Sequence, residues 1–286
     1  MADDAAREDA LLDVEDKVQD KHSKPRGGKG RGKGGGGGGQ GREVQVSKAL
    51  SRLLRHQAAN AGIQLDDEGF ARLDAVLAWN PLRSLKVTLD DIQTAVSTDG
   101  KQRFTLKPNP ATNPSLDTKS TSPVDYLIRA NQGHSIKLES ANLLTPITVE
   151  AGNVPNRVLH GSFFYFWSAI VETGGLKPMN RNHVHCSAGT PEEGIVSGMR
   201  RDAELIIEID MEESLKDGIQ WWLSDNGVLL TEGDETGILS TKYFKLVTGR
   251  NIDVGVLWQD GQWVSDLPSG IKISPPFGKR GGRGGK

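Results

Sequence analysis

The apolar residues of this chain change period once, and the change falls beside a stretch that no regular element could cross. Val46, Leu50, Leu53 and Leu54 recur at i, i+4, i+7 and i+8, the spacing of one helical face. Gly69–Trp79 reads as a second short helix with Leu73, Val76 and Leu77 inward. Thr88 with Asp90 and Asp91 marks the start of a third, whose buried side holds Ile92 and Val96. Lys101–Lys107 then alternates like a strand. Three short helices and a strand predict a small winged-helix-like lobe. Residues 108–124 hold Pro108, Pro110, Pro114 and Pro123 among small polar residues, which makes a loop. Beyond it strands dominate: Tyr126–Arg129, His183–Cys186, Leu205–Ile209, Ile219–Leu223, Val228–Leu230, Lys242–Val247, Val254–Trp258 and Gln262–Val264. They have one apolar helix among them, Phe163–Glu172, stopped by Gly174 and Gly175. The hairpin turns are Ser224–Gly227 and Asp260-Gly261. The second lobe is therefore α+β with mostly antiparallel strands.

Composition excludes several classes. No apolar run nears the roughly 18–20 residues of a membrane span, and the acidic start has no apolar signal region. Cys186 is the single cysteine, so an internal disulfide and a multi-cysteine zinc site are ruled out and a reducing cytoplasmic or nuclear setting is expected. Charge is segregated: residues 1–20 carry a net −6, 21–43 a net +6, 274–286 a net +4 and the middle −6. Eleven of the residues from Gly27 to Gly41 are glycine, a composition that buries too little to offset its ordering entropy. Both ends, 1–43 (acidic, then Gly/Lys/Arg-rich) and 274–286 (basic and glycine-rich), are expected to be disordered. They read either as tails that touch RNA phosphates loosely or as solubilising segments.

Six histidines are present. Apart from His22 they lie in short polar strings: Arg55-His56, Gly133-His134-Ser135, His160-Gly161-Ser162 and His183-Val-His185. A lone buried histidine is usually a satisfied core residue, but five in such company are harder to dismiss. His183 and His185 share a strand face, as zinc-chelating pairs do. No carboxylate accompanies them and Arg181 is close, so no metal site is expected. Arg55, Arg103 and Arg181, each beside His, Gln or Asn, offer planar bidentate donors suited to phosphate oxygens. Walker, Rossmann and nucleophile-elbow motifs are absent.

Six strings occur in order: Ser47–His56, Lys101–Phe104, Ile128–Ser135, Leu159–Ser162, Gly175–His185 and Ser197–Arg200. Together, over about residues 44–250, they resemble the RNA (tRNA) 2′-phosphotransferase family. The resemblance implies an N-terminal winged-helix-like RNA-binding lobe (44–107), a loop or insertion (108–124) and a C-terminal NAD-binding lobe related to ADP-ribosyltransferases (125–250). Residues 251–273, a hairpin extension, have no counterpart in it. The implied substrates are NAD, consumed as co-substrate without a metal, and an RNA with an internal 2′-phosphate, such as spliced tRNA. The phosphate would attack the NAD ribose and expel nicotinamide. The ribose 2″-hydroxyl would then attack phosphorus, leaving 2′-hydroxyl RNA and ADP-ribose 1″,2″-cyclic phosphate. A monomer with no membrane partner is expected.

Matched string by string, the family's catalytic Arg-His-Arg-Arg set falls on Arg55, His56, Arg103 and Arg181. His160, Gly161 and Ser162 match its nucleotide-binding string, with serine where threonine is commoner. The bare Cα of Gly161 would let NAD approach the backbone. His134, Ser135 and His183 are further candidates for the NAD pocket, and Arg200 would meet the pyrophosphate or pair with Glu204. Two other classes remain: an ADP-ribosyltransferase acting on protein or nucleic-acid ends, and a non-catalytic RNA-binding module. The intact Arg-His-Arg-Arg set favours phosphate removal over the first, and the NAD-type string is unexplained by the second.

Overall fold

A computed structural model describes residues 38–137 and 140–276. The chain divides into two units whose sequence boundary lies between Asn142 and Leu143. The architecture is mixed α+β, with helices concentrated in the first unit and antiparallel sheets in both. The tails expected to be disordered fall for the most part outside the described residues.

In the first unit, helix α1 (Gly38–Arg52) runs into a π-helical turn, Leu53–Gln57. Its predicted face is the one that is buried: Val46, Leu50, Leu53 and Leu54 are at most 2% exposed. The helix starts inside the glycine-rich stretch assigned to the tail, and Arg42 supplies a reason. Its guanidinium donates to the carbonyls of Leu85 (2.7 Å) and Lys86 (3.1 Å) and pairs with Asp91 at 2.8 Å. The second helix is shorter than its spacing predicts. Asp66 accepts the amides of Glu68 and Phe70, turning the chain, and Ala71–Arg72 are spent as strand β1, so helix α2 is only Leu73–Ala78. Helix α3 (Asn80–Ser84) was not legible in the pattern. Helix α4 (Leu89–Thr98) begins at the predicted cap: Thr88 Oγ1 accepts from the Asp91 amide while the Asp91 carboxylate accepts from the Thr88 amide. Such a cap is worth about 1 kcal/mol.

Strands β2 (Phe104–Pro108) and β3 (Tyr126–Ala130) pair from Phe104↔Ala130 to Pro108↔Tyr126, and β1 pairs with the other side of β3. The sheet order is β1-β3-β2. Both strands lie in the first unit. The proline-rich loop joins two strands of one sheet, so it does not link lobes. It is held by its own polar groups: Asn113 Oδ1 accepts from the Asp117 amide, and the Tyr126 hydroxyl donates to the Thr118 and Ser120 carbonyls.

The second unit is built on two larger antiparallel sheets. One has the order β14-β13-β12-β8-β5, formed by Gln262–Trp263, Val256–Gln259, Phe244–Gly249, Leu205–Ile209 and Leu159–Ser162. The other has the order β4-β9-β10-β7, formed by Thr145–Ile147, Trp221–Leu223, Leu229–Thr231 and Val184–Cys186. A small pair joins β6 (Gly175–Leu176) to β11 (Leu239–Ser240). Helices α5 (Phe164–Glu172) and α6 (Met211–Lys216) complete the unit. Its core includes Trp221, Leu205, Ile207, Phe244 and Val247. Trp258 belongs to that core, with edge-on contacts to Trp167 (6.1 Å) and Phe244 (6.4 Å), whereas Trp263 is 57% exposed. Asp260 and Gly261 both take positive φ, the hairpin geometry predicted for them. Among the described residues no helix is long and apolar enough to cross a membrane.

Candidate functional site

Arg55 and His56 lie in the π-helical turn that extends α1, a local widening that is frequent at functional positions. Arg55 is buried and His56 half-buried. The turn is tied to the Gln-Gly-His-Ser string: the Arg55 carbonyl accepts from the amides of Ser135 (3.1 Å) and Ile136 (3.3 Å). His56 Nδ1 and Ser135 Oγ share a hydrogen bond of 2.9 Å. Gly133, with φ of 84°, lies against the Arg55 guanidinium, whose Cζ would be 3.5 Å from an added Cβ. That distance is an ordinary contact, so the glycine is required by backbone conformation. His134 is 3% exposed.

Arg103 comes from the turn before β2. Asp99 accepts the amides of Lys101 and Arg103 on its two oxygens, forcing Gln102 to positive φ, and so the predicted strand starts only at Phe104. The same carboxylate holds the Arg103 guanidinium at 2.5 Å. Asn131 braces the turn from the β3 side, donating its amide to the Arg103 carbonyl and its side-chain NH₂ to the Gln102 carbonyl. Sequence reading missed Asp99 and Asn131. The i, i+4 spacing of Asp99 to Arg103 was the available signal.

In the second unit a chain of histidine contacts sets one ring. His185 Nδ1 lies 2.9 Å from the His183 carbonyl, and His160 Nδ1 lies 3.0 Å from the His185 carbonyl. A carbonyl partner requires an N–H at Nδ1, so a neutral His160 carries its lone pair on Nε2. Burial holds His160 below its ordinary 6.5, against a smaller opposing pull from the His185 carbonyl. The ring is neutral at pH 7, with an acceptor at Nε2. His183 is buried edge-on to Trp222 (5.6 Å), and its Nε2 is 3.4 Å from Glu232. Burial lowers its pKa more than Glu232 raises it, so this contact joins a neutral imidazole to a carboxylate. Arg181 lies in the half-buried turn before β7, its amide donating to the Pro178 carbonyl.

Gly161 packs closely against its own chain. A Cβ there would sit 2.6 Å from Met199 Cγ and 2.9 Å from Ala203 Cβ. The protein's own 199–203 turn fills the side of Gly161 on which a Cβ would stand, so the glycine seats that turn. Arg200, half-buried in the same turn, forks onto Asp202 at 3.0 and 3.1 Å and lies over the Phe163 ring at 5.1 Å. The anticipated alternative partner, Glu204, is committed elsewhere, accepting the Phe164 amide at the start of α5. Ser162 is buried beside it, its carbonyl accepting the Glu204 amide.

The structure thus brings together Arg55, His56, His134 and Ser135 in one unit. In the other it brings together His160, His183 and His185, and, beside Gly161, Phe163 and Arg200. A neutral imidazole acceptor, a serine hydroxyl and a guanidinium suit a ligand bearing hydroxyls and a diphosphate.

Comparison with known proteins identifies a family. Residues 41–233 match the model of the family described as RNA 2′-phosphotransferase, Tpt1/KptA family. The chain is 39% identical to the tRNA 2′-phosphotransferase 1 of Danio rerio over 71% of its own length and 84% of that protein. It is 40% identical to the tRNA 2′-phosphotransferase 1 of Homo sapiens, covering 71% of this chain and 75% of the relative. It is also 40% identical to the tRNA 2′-phosphotransferase of Saccharomyces cerevisiae, covering 61% and 71%.

Proposed function

The chain belongs to the RNA 2′-phosphotransferase, Tpt1/KptA family and has the activity of a tRNA 2′-phosphotransferase, and on that premise we propose which of its residues carry the reaction and that NAD is the phosphate acceptor. NAD, consumed as co-substrate, supplies a ribose whose anomeric carbon can lose nicotinamide. Arg55, Arg103 and Arg181 bind the RNA 2′-phosphate and neutralise the charge that builds on phosphorus during transfer, a reaction in which positioning and electrostatics supply most of the catalysis. Losing one such donor costs on the order of 3–4 kcal/mol of transition-state stabilisation. His56, fixed by Ser135, contacts the phosphate or moves a proton at it. His160 accepts a ribose hydroxyl at Nε2, Ser162 bonds another, and Arg200 faces the pyrophosphate. His134 and His183 support these groups, and Gly161 seats the turn that carries Arg200.

The observation that carries the reading is the tie between Arg55-His56 and Ser135, which joins two of the sequence strings around one phosphate-binding arginine. The element order helix, β1, three helical segments, β2, β3 and the sheet order β1-β3-β2 support a winged-helix-like RNA-binding unit. The antiparallel second unit, with its His-Gly-Ser edge strand, supports an ADP-ribosyltransferase-like one. The test offers NAD and a short RNA with one internal 2′-phosphate. Phosphate removal should require NAD, release one nicotinamide per phosphate and survive EDTA. Inorganic phosphate release without NAD would refute the proposal.

A further inference from the structure

The match to the family model ends at residue 233, yet one residue beyond it reaches back into the turn beside Gly161. Arg250 follows the last residue of β12, and its amide donates to the Glu204 carbonyl at 2.8 Å. Its side chain is 6% exposed. Nη1 donates to the carbonyls of Arg200 (3.2 Å), Arg201 (2.9 Å) and Ala203 (3.4 Å), and Nη2 pairs with Glu192 at 2.5 Å. Nε is buried without a hydrogen-bond partner among the described residues. Three carbonyl dipoles aimed at one point repel one another unless a cation occupies it. Arg250 is that cation, so the 200–203 turn keeps its shape only with the guanidinium in place. Glu192 holds the guanidinium from the far side, and its carboxyl is kept below the usual range by the Arg250 hydrogen bond.

We infer that Arg250 is a positioning residue for NAD, acting through the 199–204 turn. The inference rests on the reading of His160, Ser162 and Arg200 as nucleotide-binding groups. The turn carries Met199 and Ala203, which fill the Gly161 face, and Arg200, which lies over Phe163. Arginine is required because one compact ammonium cannot span Glu192 and three carbonyls together.

The experiment measures NAD binding by calorimetry without RNA, alongside hydrogen exchange of the 198–204 amides, in the full chain. Arg250→Lys should weaken NAD about tenfold, speed exchange in that turn and leave the affinity for 2′-phosphorylated RNA within about twofold of wild type. Glu192→Gln keeps a neutral acceptor and should weaken NAD less than Arg250→Lys does. Unchanged NAD affinity in Arg250→Lys overturns the inference, as does equal weakening of NAD and RNA, the mark of a general structural role. His160→Ala is measured beside it. Weaker NAD binding there with none in Arg250→Lys sinks the clamp alone, whereas unchanged binding in His160→Ala sinks the nucleotide reading and the clamp with it.

Discussion

Gly161→Ala adds one methyl where the structure has no room for it. The new Cβ would lie 2.6 Å from Met199 Cγ and 2.9 Å from Ala203 Cβ, both far inside van der Waals contact. Met199 has rotatable bonds and can swing its thioether aside. Ala203 has none, and the backbone that bears it is held through its carbonyl by Arg250. Strand β5 and the 199–203 turn must therefore separate by several tenths of an ångström. Overpacking of this kind costs about 1–3 kcal/mol. For a chain of this size each kcal/mol lowers Tm by about 2–4 °C, so a fall of about 2–12 °C is expected by calorimetry. A double-mutant cycle isolates the clash: Met199→Ala should cost less in the Gly161→Ala background than alone, with a coupling of about 1 kcal/mol or more. NAD binding should weaken in Gly161→Ala because the turn bearing Arg200 is displaced. A loss of stability under about 0.5 kcal/mol, the range of an inert surface change, would refute the packing argument.

Further outcomes follow from the same geometry. Arg55→Lys and Arg181→Lys keep the charge but lose the bidentate fork. They should slow formation of 2′-hydroxyl RNA more than nicotinamide release, so that ADP-ribosylated 2′-phospho-RNA builds up as a slower gel band in single-turnover time courses. His160→Ala should slow the first step with no such band, and the reverse pattern would invert the assigned roles. Burial holds His160 below 6.5, so NAD affinity should be flat from pH 8 to 6.5 and weaken only below, as Nε2 gains a proton. Stability has the same sign, because the unfolded chain takes up the proton first as pH falls. An NAD affinity already declining between pH 8 and 7 would contradict this. Truncation at residue 37 should leave Tm unchanged, whereas truncation at residue 43 should lower it by removing Arg42 from the Leu85 and Lys86 carbonyls.

What could be read from the sequence was local. The face of α1 and the Thr88 cap lie within a turn or two of chain, so spacing alone locates them. Strand β5 is four residues containing a glycine, and only its ladder with β8 makes it a strand. The pairing of β3 with β2 was hidden for the same reason, since it spans a loop that looks like a linker. At the candidate site, arginine and histidine strings announced themselves by residue type. Their supports did not: Asn131 under Arg103, Asp202 beside Arg200 and Arg250 beneath the turn are ordinary polar residues until folding assembles them. Gly161 was noticed for its bare Cα, but its packing against Met199 and Ala203 was hidden, because sequence does not say which side of a bare Cα will be filled.

The five-stranded sheet has two ends, and the His-Gly-Ser strand β5 is one of them. An open edge is a template on which a second chain can add a strand, the usual beginning of aggregation. Here protection comes from the shortness of the edge. Leu159 is already closed off by a two-way bridge to Ser187, at 2.8 and 2.9 Å, and the strand ends at Ser162. The opposite edge, β14, is only two residues long. A redesign that lengthened β5 to rigidify its histidine would give up that protection, trading solubility for order.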